Sequence, residues 1–170
     1  MKKVIKENIG WVIAIASIAV LVGLIWIAIS SLTPPNMDKM EKYFNKDKAD
    51  IVLVTDYFIE SGYSEISINK LNYKKGFMFT SANRMAEIED EAVAKVIERL
   101  YKKRGYKVIG RYGNTIFFEK WAFLERDRGI AYSINGEDKP VLEFLVKLEP
   151  LSEDGWYYYE ADYEEYRNGY

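Results

Sequence analysis

Residues 89–121 read EDEAVAKVIERLYKKRGYKVIGRYGNTIFFEKW, and their pattern changes period in the middle. From Glu89 to Lys103 the apolar positions Val93, Val96, Ile97, Leu100 and Tyr101 recur at helical spacing. Glu89, Asp90 and Glu91 stand at the positive end of that helix, and Lys102, Lys103 and Arg104 at the negative end. Gly105 supplies the residue that most readily closes a helix. Beyond it, Lys107–Tyr112 and Thr115–Trp121 predict two β-strands joined at Gly113-Asn114, a favoured two-residue hairpin turn. Helix, glycine stop and hairpin in one unit predict an α+β domain with a mostly antiparallel sheet and two or three helices on one face.

Working outward, Asp38–Phe44 predicts a short helix. Asn45 reads as the cap of a second helix, Lys46–Ser61, with Ile51, Val54, Tyr57 and Phe58 as its stripe and Gly62 as its stop. Ser64–Ile68 alternates as a half-buried strand, and Phe77–Thr80 is a short one. Gly129–Ile134 predicts a strand ending at the Asn135-Gly136 turn. Val141–Leu148 fits a helix begun at Pro140. Gly155–Tyr159 reads as a last strand and Asp162–Arg167 as a short helical tail. There is also an internal echo. Val54, Tyr57, Phe58, Gly62, Tyr63 and Ile66 are spaced as are Ile97, Leu100, Tyr101, Gly105, Tyr106 and Ile109. The echo fits two αβ units with both helices on one face, and equally the common chemistry of helix caps.

The N-terminal fifth is of another kind. Ile9 to Ile29 carries no charge, and 21 residues of helix rise roughly 30 Å, the thickness of a bilayer core. The sequence therefore predicts a basic tail at 1–8, an uncleaved transmembrane anchor helix at 9–32, a Pro-containing linker at 33–36 and a soluble α+β domain at 37–170. Lys2, Lys3 and Lys6 beside the span set the N-terminus in the cytoplasm and the domain outside, making a single-pass protein of the cell membrane. Ala16, Ala19 and Gly23 share one helical face, a surface on which two such helices can associate.

The chain has no His and no Cys. Ser-His-Asp, Cys-His and HExxH chemistries are thereby excluded, as are disulfides. No phosphate loop, metal-ligand run or cofactor motif is present. Glu119, Glu125 and Asp127 are the acids that can line a cleft as a hydrolytic pair, and Ser133 with Lys120 is a weaker dyad. In a chain with 26 acids the ordinary reading of such a cluster is surface charge.

Charge is uneven. Lys95 to Arg128 holds ten basic residues and four acids, whereas Glu149 to Tyr170 holds seven acids and one base. The tail either folds back onto the basic hairpin or leaves it for an anionic partner. Nucleic acid is not expected, because the net charge is −2 and no binding motif is present. These features predict a non-catalytic binding module near the membrane, its partner another membrane or envelope protein. Its surface would comprise Arg111, Lys120, Arg126 and Arg128 of the basic region with Trp156 and Tyr158 of the aromatic tail. A small carboxylate-dependent envelope hydrolase and an accessory subunit of a membrane complex are the alternatives.

Overall fold

The structure, a computed structural model, describes residues 12, 15–26, 32–80, 84–136 and 138–164. It divides into two compact units, Met1–Pro34 and Pro35–Tyr170.

In the first unit the unbroken described helix covers residues 15–26. Among the described residues no helix is long and apolar enough to cross a membrane. The expected transmembrane anchor at 9–32, the single-pass topology, the cell-membrane location and the extracytoplasmic placement are corrected accordingly. Much of the run from Ile9 to Ile29 lies outside the described residues. Ala16, Ala19 and Gly23 lie in the described helix and are exposed.

The second unit begins with α1, Met37–Glu60. One continuous helix replaces the two expected, because the cap is Asn36 and not Asn45. The Asn36 side chain accepts from Lys39 N–H at 3.1 Å, while Asn45 lies exposed inside the helix. Met40, Phe44, Ile51, Val54 and Phe58 form its buried stripe. After Gly62, at φ +72°, come β1 (Glu65–Asn69), a 3₁₀ turn (Tyr73–Lys75), β2 (Phe77–Thr80) and β3 (Arg84–Glu87). Strand β3 has too polar a pattern to announce itself.

Helix α2, Glu91–Lys102, buries the five residues its periodicity predicts, and Asp90 caps it by accepting from Ala92 and Val93 N–H. The hairpin follows as β4 (Val108–Tyr112) and β5 (Thr115–Phe123), then β6 (Arg126–Ser133), β7 (Leu145–Pro150) and β8 (Trp156–Asp162). The stretch Val141–Leu148 is no helix: it is a connection that enters β7. Leu145 and Leu148 face Ala161 and Tyr159 across the β7–β8 ladder, and that pairing outweighs a helical spacing. Of the expected helical tail, Asp162 is the last residue of β8 and Glu164 is in helical conformation, while residues 165–167 lie outside the described residues.

Among the described residues eight strands form one sheet, in the order β3-β2-β1-β4-β5-β6-β8-β7, and each of their pairings is antiparallel. One face, with Ile68, Ile109, Phe118, Ile130 and Trp156, packs against α1 and α2 in a single core. The internal echo is built into the sheet. Gly62 and Gly105 lie 43 residues apart, and so do Ile66 and Ile109. In the β1–β4 ladder Ile68 pairs with Ile109, Ile66 with Arg111, and Ser67 with Gly110. Ser67 and Gly110 also differ by 43, so a local two-fold axis passes between them. α1-β1-β2-β3 and α2-β4-β5-β6 are thus arranged alike about that axis. Among the described residues β7, β8 and the connection before them have no counterpart: β8 and β7 extend the sheet beyond β6, and Leu142 of the connection packs on part of the second half's outer face.

Candidate functional site

The uncovered remainder of that outer face is where a cavity forms. Phe117 and Glu119 lie two apart on β5, and Asp127 and Gly129 two apart on β6, so alternation turns all four outward. Glu119 is the Cα partner of Gly129, which makes Asp127 its diagonal neighbour, about 7–8 Å away between α-carbons. Lys120, next to Glu119, faces the helical side, and a bulge there shifts the register so that Trp121 pairs with Arg128.

Gly129 has a steric reason. A Cβ there would lie 2.3 Å from the Phe118 carbonyl oxygen and 2.6 Å from Cε1 of Tyr159. The glycine lets the Tyr159 ring lie across β6. The connection 134–144 straps the site: Val141 N–H donates to Thr115 Oγ1 at 2.8 Å, Asp162 N–H to the Phe144 carbonyl at 2.9 Å. The Phe144 and Tyr163 rings meet at 4.8 Å, and Leu142, Leu145 and Tyr163 pack on Ala131, Tyr159 and Ala161.

Between strap and sheet remains a cavity of about 320 Å³ lined by Val108, Tyr112, Phe117, Glu119, Asp127, Leu142, Glu143, Tyr159, Ala161 and Tyr163. Three lining residues are acids, four are aromatic, and none is basic. Asp127 is 8% exposed. Its Oδ2 accepts from the Tyr163 hydroxyl at 3.0 Å, while its buried Oδ1 has no hydrogen-bond partner among the described residues. Burial pushes the Asp127 carboxyl up to about 6, against the lowering effect of the Tyr163 hydrogen bond. Burial, and then the charge of Asp127, pushes Glu119 up to about 7, with Lys107 pulling the other way. Among the described residues no group of three or more acids is placed to hold a metal ion.

Of the three acids the sequence singles out, the fold brings Glu119 and Asp127 to one cavity. Glu125 sits in the β5–β6 turn, where its carbonyl accepts from Tyr163 N–H at 2.7 Å. Ser133 and Lys120 are not brought together. Ser133 is buried opposite Thr115. Lys120 donates to the Arg104 carbonyl, with its ammonium over the Tyr43 and Tyr106 rings at 4.5 and 4.1 Å. Burial lowers that ammonium to about 8.

The expected basic-and-aromatic surface is distributed otherwise. Trp156 and Tyr158 are 6% and 0% exposed; Trp156 packs between Phe44 and Tyr132, with ring centroids at 4.9 and 4.7 Å. Arg111 donates to the carbonyls of Phe58 and Gly113. Arg126 pairs with Asp162 and Glu164, and Arg128 with Glu160. The acidic tail thus folds back on the basic hairpin through the β6–β8 ladder. Sequence reasoning missed Phe117, Leu142, Glu143, Tyr159 and Tyr163. Alternation about Glu119 points to Phe117; nothing local marks the strap. No protein-family model, curated protein or solved structure matches this chain.

Proposed function

We propose that this protein is a binding module for a small organic cation, held in the strapped cavity on the outer face of the sheet. The observation that carries this reading is the lining: Glu119, Asp127 and Glu143 with four aromatic rings, no basic side chain, and one buried Asp127 oxygen without a partner among the described residues. Carboxylates accept hydrogen bonds and cannot donate them when ionised, so the matching ligand is a donor. An alkylammonium or guanidinium group brings donors, a compensating charge for the buried acids and affinity for the faces of Tyr and Phe rings. A neutral diol of the same length brings only the first.

Titration calorimetry of the full chain with putrescine and with 1,4-butanediol tests this. The amine is expected to bind and the diol not. Asp127→Asn is expected to weaken the amine by at least about ten-fold, as loss of one partner of a buried charge pair does. Equal heats for amine and diol, or an unchanged affinity in the variant, would refute the reading.

A second reading rests on the pairing of Glu119, near 7, with Asp127, near 6, as diagonal neighbours in one cavity. Two carboxyls so placed can hydrolyse a glycoside, the higher as general acid and the lower as nucleophile or base. A panel of nitrophenyl glycosides decides it: release of nitrophenol that Glu119→Gln abolishes supports hydrolysis, and no release by the native chain removes it.

A further inference from the structure

A second cavity, of about 290 Å³, adjoins the first on the same face and is lined by Glu65, Ile66, Ser67, Phe79, Thr80, Arg111, Tyr112 and Phe117. Tyr112 and Phe117 line both. The Phe117 ring lies over Gly110, where a Cβ would come within 2.6 Å of the ring and of the Ile66 carbonyl oxygen. The two cavities therefore adjoin across an aromatic ridge formed by Tyr112 and Phe117. Glu65 stands at the far side of that ridge, as the Cα partner of half-exposed Tyr112. The cation in the second wall is already engaged: the Arg111 guanidinium donates to Phe58 of α1 and to Gly113. Glu65 thus meets the second cavity as its acid.

From this arrangement, and resting on the cation reading above, we propose that the ligand is a linear polyamine lying across both cavities. One terminal ammonium meets Glu119 and Asp127, the chain crosses Phe117 and Tyr112, and the other terminus meets Glu65. The register supplies the length. Glu65 pairs with Tyr112, Tyr112 with Thr115, and Glu119 is four residues further along β5. Two strand spacings across and four residues along separate the Glu65 and Glu119 α-carbons by about 16 Å. A tetraamine covers that distance in extended form, while a short diamine occupies the strapped cavity alone. The rings suit the middle of the chain, since methylenes pack on them and an internal ammonium interacts with their faces.

Calorimetry with spermine, spermidine and putrescine on the full chain, above the pH at which Glu119 ionises, tests the proposal. Affinity is expected to rise with length. Glu65→Gln, at an exposed position that folding does not depend on, is expected to weaken spermine by about five-fold, the size of one partly exposed ion pair. The same change should leave putrescine unaltered, whereas Asp127→Asn should weaken all three. If spermine and putrescine bind equally, or Glu65→Gln leaves spermine unchanged, the spanning mode is overturned and the strapped cavity remains the cation site. If none of the three amines binds, both readings fall.

Discussion

Three residues decide the character of the site, and they make two measurable claims. At Gly129 the obstacle to any side chain is partly the Phe118 backbone oxygen, 2.3 Å from where a methyl group would stand, so relief by a rotamer change is not open. Gly129→Ala is expected to cost about 1–3 kcal/mol of stability, read as a lower urea midpoint, and to displace the Tyr159 ring from the cavity wall. The acids Glu119 and Asp127 make the second claim. Their folded-state values, about 7 and about 6, lie above the ordinary 4.5 and 3.8. Between those limits the folded chain holds more protons than the unfolded one, so stability falls as pH rises. The contribution is fully present below about pH 4 and lost through pH 7. The double variant Glu119→Gln, Asp127→Asn is expected to flatten that part of the urea-midpoint profile relative to the native chain. An identical slope in both would show that the two carboxyls are not desolvated.

At the scale of elements, the strap and the core strand are the informative parts. The 134–144 connection is tied to β5 by the hydrogen bond from Val141 N–H to Thr115 Oγ1. Thr115→Val keeps the shape and removes the acceptor. It is expected to cost about 0.5–1.5 kcal/mol and to weaken putrescine binding through a looser roof, while putrescine stays excluded from the second cavity. Strand β8 offers the contrast. Trp156 lies at the junction of α1, β5 and β6, and Trp156→Ala is expected to cost about 3–5 kcal/mol, seen in denaturant unfolding. A tryptophan serving a binding surface would cost little stability and much affinity, so the pair of measurements separates the two roles.

At the scale of the molecule, the two halves share a plan and the site does not. The local two-fold axis between Ser67 and Gly110 relates α1-β1-β2-β3 to α2-β4-β5-β6. β7, β8 and the strap are added to one end only, and Leu142, Glu143, Tyr159, Ala161 and Tyr163 from these additions help to line the cavity on the second half's outer face. The first half's outer face stays open, with Phe79 and Met85 substantially exposed. The proposed site thus lies where the symmetry is broken.

The sequence by itself determined the local features that rest on short-range physics. These are the stripe of α2 with its Asp90 and Gly105 ends, the hairpin at Gly113-Asn114, and the repeat that places Gly62 and Gly105 alike. It misplaced the start of α1, because Asn36 and Asn45 are equal candidates until the chain entering the helix is known. Its longest apolar run predicted a membrane span, whereas among the described residues no helix is long and apolar enough to cross a membrane. Only the tertiary structure decided that Val141–Leu148 leads into a strand, that Trp156 and Tyr158 are core, and that Glu119, Asp127 and Glu143 meet around one cavity. Those outcomes depend on which strand lies beside which. Strand neighbours are chosen by burial summed over the whole sheet, and no window of sequence contains that sum.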